Sequence, residues 1–231
     1  MRTARRPARP LMPTQDAPMP LDAHFARVPL IPEVSLPDPL DAVPLARALS
    51  AGGLSLVELR WHGADTLAAI RAIATQCPQM VVGIGGVIDA ATYTHAVEAG
   101  ARFISSPGST PSLQAVARSH AGVLYLPGVA TISEAMAVRE AGFSRVRLGP
   151  VPIQGGVAQV ATFHQALPDL RFIVSGGVDA LNADSFIAQD GVAAIGAGWI
   201  ATGDHLQRRD WAWIEDNAAA AREALADCRA G

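Results

Sequence analysis

Two short stretches carry side chains that could do chemistry. The first, Glu58-Leu59-Arg60-Trp61-His62, places a carboxylate, a guanidinium and an imidazole close together. The second, Ser144-Arg145-Val146-Arg147-Leu148-Gly149-Pro150, runs on to Gln154-Gly155-Gly156 and reads as a strand opening into a Pro/Gly loop. By the two-residue period of a strand, Val146 and Leu148 share one face and Arg145 and Arg147 the other. A guanidinium aimed into a protein interior is costly unless an acid or an anionic ligand meets it. Glu58 is suited to moving a proton, and Arg147 to gripping a carboxylate or a developing enolate oxygen through paired hydrogen bonds. The same two residues would also make a structural ion pair that only fills the interior, and the sequence leaves both readings open. His62 is either a proton carrier, since imidazole titrates near neutral pH, or a solvated loop residue. Glu33 is a further candidate acid.

Other candidates carry less. Ser105, Ser106 and Ser175 have no His/Asp partner in view and read as hydrogen-bond donors rather than nucleophiles. His24, His95, His120, His164 and His205 are expected at the surface, and no pair has metal-ligand spacing. Trp199 is expected to pack beneath helices rather than stack on a ligand.

The composition narrows the chemistry. All 18 basic residues are arginine, so every reaction that needs a lysine amine is closed to this chain. Lysine is ordinarily common, and its absence points to a GC-rich coding bias or to deliberate removal. A net charge of −3 gives no polyanion-binding signature, so no nucleic-acid partner is expected. No apolar run reaches the roughly 18 residues of a membrane span. Cys77 and Cys228 fit neither a disulfide framework nor a metal site, which suits a reducing cytoplasm. Residues 1–24, rich in Arg and Pro, are expected to be a disordered tail, a segment ahead of a true start at Met12 or Met19, or a transit peptide.

The elements that must position these residues follow from residue 25 to 231, read as one domain. Short apolar runs at 28–32, 56–60, 80–84, 103–105, 123–126, 146–148, 171–175 and 192–196 alternate with helix-length stretches. That alternation predicts a parallel sheet with helical crossovers. Ala51-Gly52, Ala99-Gly100, Ala141-Gly142 and Asp190-Gly191 each read as a left-handed helix end, with the glycines 48, 42 and 49 residues apart. A repeat of about 24 residues, eight times over, predicts an α/β fold of the (β/α)8 TIM-barrel type. Chemistry then belongs at the C-terminal strand ends. Two Gly-rich turns there, Ser175-Gly176-Gly177 and Gly196-Ala197-Gly198, follow strands seven and eight and are expected to hold a phosphate at helix N-termini.

With these strand ends laid out, the chain resembles the 2-keto-3-deoxy-6-phosphogluconate (KDPG) and 4-hydroxy-2-oxoglutarate (KHG) aldolases from about Val28 to Leu225. The resemblance is carried by Ala51-Gly52-Gly53 through Val57-Glu58, Val82 to Val87, Glu98 to Phe103 and Ser106-Pro107-Gly108. It continues in Leu126 to Val129 with Ser133-Glu134, in Ser175 to Val178 and in Ile195 to Trp199. It implies a trimeric barrel that uses no metal and no cofactor. The implied reaction cleaves a 2-keto-4-hydroxy acid into pyruvate and an aldehyde through a lysine Schiff base. It places the acid/base glutamate on Glu58, the pyruvate carboxylate near Gly85, Gly86, Pro107 and Gly108, and the phosphate at Gly176-Gly177 and Gly196 to Gly198. Three positions depart from the pattern. The Schiff-base lysine falls on Arg147, the carboxylate-binding arginine on His62, and the threonine of a Gly-Thr turn on Gly86.

Arginine, with a pKa above about 12, cannot supply a neutral amine. The expected function is therefore a lyase-like enzyme acting on a small anionic 2-keto acid, with or without a phosphate. Glu58, with His62, would move a proton, Arg60 would help bind the substrate, and Arg147 would stabilise an enolate without a covalent bond. The alternative is a non-catalytic barrel that binds a phosphorylated or carboxylate metabolite.

Overall fold

The computed structural model describes residues 20–151, 155–226 and 228. The expectations placed on residues 1–19 and on Gln154 lie outside the described residues.

Among the described residues, ten strand segments occupy eight positions. Strands β1 (Leu30–Ile31) and β2 (Glu33–Val34) are one strand interrupted at Pro32; β6 (Leu124–Leu126) and β7 (Gly128–Val129) are one interrupted at Pro127. The uninterrupted strands are β3 (Leu56–Arg60), β4 (Val81–Gly85), β5 (Phe103–Ser105), β8 (Arg145–Leu148), β9 (Arg171–Val174) and β10 (Val192–Gly196). Proline has no N–H to give to a ladder, but its carbonyl still accepts. The Glu58 amide donates to the Pro32 carbonyl at 2.8 Å, and the Arg147 amide donates to the Pro127 carbonyl at 2.9 Å. Two parallel sheets result, in the orders β1-β10-β9-β8-β7 and β2-β3-β4-β5-β6. Each interrupted strand contributes one piece to each sheet, so the two join into a (β/α)8 barrel. The first and fifth apolar runs thus continue past the prolines that the sequence reading took as strand ends.

Helices α2 (Ala42–Ala51), α3 (Ala64–Gln76), α4 (Ala90–Ala99), α5 (Pro111–Ser119), α6 (Ile132–Glu140), α7 (Gly156–Ala166) and α8 (Ala183–Ile187) follow the first seven strand positions. Several starts are written in the sequence. Asp89 accepts from the Thr92 amide at 2.8 Å, and Thr131 and Glu134 form a reciprocal capping box. Two helices follow the last strand, α9 (Gly203–Gln207) and α10 (Trp211–Ala224). Arg209, in the left-handed region at φ 54, stands between them. Gly100, Gly142 and Gly191 take the expected left-handed conformation, but at the first of the four sites Gly53 does so (φ 86) and Gly52 does not. Gly52 is small for another reason. A Cβ there would lie 2.6 Å from the Ala218 Cβ, so the residue lets α10 close onto α2.

The strand period sorts the side chains into two cores. Val57, Leu59, Val146 and Leu148 face the helices, while Ile31, Leu56, Phe103, Leu124, Leu126, Ile173 and Ala194 fill the barrel interior. Helix α1 (Pro20–Arg27) adds Leu21 and Phe25 to this interior cluster. Its Asp22 receives both Nε, at 3.0 Å, and Nη2 of inward-facing Arg145. Residues 20–24 are therefore part of the folded unit and not of a tail, which corrects the expected boundary at residue 25. The sequence hid this because Leu21 and Phe25 are too few to stand out against the Arg/Pro-rich residues before them.

Phe25 is 3 % exposed and packs in the interior apolar cluster. Phe25→Ala is expected to cost about 3–5 kcal/mol, read as a lower urea midpoint for unfolding with an unchanged far-UV spectrum before the transition.

Candidate functional site

The C-terminal mouth of the barrel holds a charged cluster built from both sheets. Arg147, the inward residue near the end of β8, is 11 % exposed, against 2 % for Glu58 on β3 and 8 % for Glu33 on β2. Its Nη1 donates to both Glu58 carboxylate oxygens, at 2.6 and 2.8 Å, and to Ser105 Oγ. Its Nη2 donates to Glu33 Oε1, and its Nε donates to Ser175 Oγ at 2.9 Å. The Ser105 hydroxyl in turn donates to Glu58 Oε2 at 2.9 Å. Arg60, at the rim with its side chain 54 % exposed, reaches Glu33 Oε2 at 3.4 Å. The guanidinium that the strand period sends inward is thus met by two carboxylates, and Glu33 stands at the centre of the cluster.

Two glycines make room for these acids. A Cβ on Gly85 would lie 2.7 Å from the Glu58 carboxyl carbon, and one on Gly196 would lie 2.6 Å from that of Glu33. Gly85 and Gly196 therefore face this chain's own carboxylates, where the sequence reading had them facing a ligand.

Electrostatics follows burial and pairing. Burial is the largest influence on Glu33 and holds its carboxyl above the ordinary pKa; Arg147 pulls the other way, the charge of Glu58 adds to the rise, and Arg60 opposes it. Burial also works against the charge on Arg147, yet Glu58 and Glu33 outweigh it and keep the guanidinium pKa above the usual arginine value. Arg147 is a permanent cation.

A cleft of about 230 Å³ opens above the cluster, lined among others by Glu58, Arg60, Gly86, Ser105, Pro107, Arg147, Ser175 and Gly176. Pro150, from the Pro/Gly loop after β8, lines it too. The other predicted residues stand apart. His62 is exposed and lines a separate pocket with Pro37, Leu59, Asp65 and Thr66, so the structure does not bring it to Glu58 as a proton carrier. The chain turns out of the strand after Arg60, which is why proximity in sequence misleads there. Gly108 is exposed and its carbonyl accepts from Ser106 Oγ. Gly177 and Gly198 are exposed, whereas Ala197 is buried and its amide donates to the Ile31 carbonyl at 2.8 Å. Helices α8 and α9 begin only at Ala183 and Gly203 and are five residues long, so the two Gly turns do not lead directly into helix N-termini as expected. Of the five histidines assigned to the surface, only His95 is exposed; His24, for example, is half-buried against Ser55 Oγ at 2.7 Å. Among the described residues no group of three or more His, Cys, Asp or Glu side chains could hold a metal ion, and no helix is long and apolar enough to cross a membrane.

A (β/α)8 barrel with ionisable residues and a cleft at its C-terminal mouth has the layout of a barrel enzyme. Comparison with known proteins takes this further. The family profile described as KDPG and KHG aldolase matches residues 21–217. The 2-dehydro-3-deoxy-phosphogluconate aldolase of Pseudomonas aeruginosa is 35% identical over 200 residues, covering 87% of this chain and 90% of its own. The KHG/KDPG aldolase of Escherichia coli is 32% identical over 183 residues, covering 79% and 85%. Among solved structures, a KDPG aldolase from Legionella pneumophila, with pyruvate captured as a covalent carbinolamine intermediate, superposes with a TM-score of 0.83 at 29% identity, covering 87% of this chain and 97% of that one. The KDPG aldolase of Zymomonas mobilis with 3-phosphoglycerate gives 0.81 at 30% identity, covering 88% and 95%. The chain belongs to the KDPG and KHG aldolase family.

Two outcomes follow from the cluster. Gly85→Ala drives a methyl group into the Glu58 carboxylate and is expected to cost about 1–3 kcal/mol, measured by chemical denaturation. Glu33 has a raised pKa in the folded state, so the fold holds its proton more tightly than the unfolded chain does. Its stabilising share is full below the unfolded-state pKa and is lost as pH rises through the folded-state value. Wild type should therefore lose stability relative to Glu33→Gln across that window, and parallel stability curves would contradict the assignment.

Proposed function

We propose that this family member acts on a small anionic 2-keto-4-hydroxy acid by acid/base catalysis, with Arg147 in place of a covalent electron sink. This reading rests on Glu58 and Arg147 lining the open cleft as well as facing each other. In the cleavage direction Glu58 takes the proton of the 4-hydroxyl group. The bond between C3 and C4 breaks, releasing an aldehyde and leaving the enolate of pyruvate. Arg147 holds the enolate oxygen by charge and hydrogen bonding until C3 is reprotonated. Arg60, exposed at the rim, receives the substrate carboxylate near Gly86 and Pro107. A distal phosphate, where the substrate has one, is assigned to the turns at Gly176-Gly177 and Gly198.

The carbinolamine in the Legionella relative needs an amine that adds to the ketone. This chain has no lysine, and a guanidinium held protonated between two carboxylates has no lone pair to offer. The route proposed is accordingly free of an imine. We take the chain to act as a homotrimer; exposed Leu40, Ile88, Met136 and Leu181 provide apolar surface that assembly would cover.

A specific observation favours a second reading, a barrel that binds an anionic metabolite without turning it over. Every nitrogen of the Arg147 guanidinium already donates to the protein. The two readings part in one assay, KDPG or KHG cleavage with pyruvate coupled to lactate dehydrogenase. Turnover is expected that falls about 100-fold or more in Glu58→Gln and is untouched by prior borohydride treatment with pyruvate. Binding of pyruvate without turnover would favour the second.

A further inference from the structure

The mouth carries one acid more than the proposed reaction uses. Glu33 does not line the cleft; it sits behind the two guanidinium groups that do, bonded to Arg147 Nη2 and 3.4 Å from Arg60 Nη2. Its carboxylate occupies the space left by the missing Cβ of Gly196 and is 8 % exposed. The charged groups facing it are Arg147 from β8 and Arg60 and Glu58 from β3, two cations and one anion. With Glu33 ionised the four charges cancel. An arriving anion would then compete with Glu33 for the same donors and add a third negative charge to a buried site. With Glu33 protonated the site carries one net positive charge, matching a single carboxylate.

We infer that Glu33 is a positioning residue whose protonation makes room for an anionic substrate. As the substrate's carboxylate takes hydrogen bonds from Arg60 and its keto oxygen from Arg147, Glu33 loosens its hold on both and accepts one proton from solvent. The neutral carboxyl stays beside Gly196, out of contact with the substrate. The rise in the Glu33 pKa that burial causes has the required sign, and a second anion nearby raises it further. The inference rests on the anion-binding part of the proposed function and is independent of whether turnover follows.

The experiment is calorimetric titration of the full chain with pyruvate, ionised throughout the range, between about pH 5 and 8 in buffers of different ionisation enthalpy. Above the Glu33 pKa, about one proton is expected to be taken up per pyruvate bound, with affinity falling about tenfold per pH unit. Glu33→Gln should bind without proton uptake and with a flat pH dependence. Glu33→Asp, which keeps a carboxyl group at this position and answers the same question if Glu33→Gln fails to fold, should keep the uptake with its pH window displaced. No proton uptake by wild type, uptake persisting in Glu33→Gln, uptake in Glu33→Asp over an unchanged pH window, or no pyruvate binding at any pH would each overturn the inference. Uptake as described with no cleavage of KDPG or KHG would leave it standing and strike only at the catalytic reading.

Discussion

A buried guanidinium cannot shed its charge, and the mouth of this barrel is arranged around that constraint. An amine in the same place could become neutral and leave its surroundings apolar; arginine requires anions at hydrogen-bonding distance. Glu58 and Glu33 supply them, and the hydroxyl oxygens of Ser105 and Ser175 add two further acceptors. The demand spreads outward. Carboxylates of this size fit only because Gly85 and Gly196 present no side chain to them, and the second acid calls up Arg60 at the rim. Lower in the barrel the same rule recurs on a smaller scale, where Arg145 is answered by Asp22.

Much of this was legible in the sequence, for identifiable reasons. A strand's two-residue period leaves no choice about Arg145 and Arg147 once Val146 and Leu148 face the helices, and both arginines do point inward. Eight apolar runs at a regular spacing define a barrel whatever the details of each strand. Glu58, Arg60, Ser175 and Gly176, read from strand ends, and Gly86 and Pro107, which the resemblance implied, all line the cleft.

The failures share a physical origin, since each concerned something decided by partners far away along the chain. Pro32 reads as the end of a strand, which left Glu33 only a further candidate acid; its contact with Arg147, 114 residues away, is what draws it into the cluster. Glycines at strand ends suggested bare backbone for a ligand, but nothing local tells whether a ligand or the chain's own side chain fills the gap. His62 stood close to Glu58 in sequence and lost that proximity where the strand ended. Helix α1 escaped notice because its apolar residues have meaning only against the barrel floor.

The division of the barrel into two sheets gives the cluster a second role. Glu33, Glu58 and Ser105 belong to the half that runs from β2 to β6, whereas Arg147 and Ser175 belong to the half that runs from β7 round to β1. The ion pairs at the mouth therefore stitch one half-cylinder to the other across a seam whose backbone ladders change partners at Pro32 and Pro127. The contacts that set the charge at the mouth are thus also contacts between the two halves of the barrel wall.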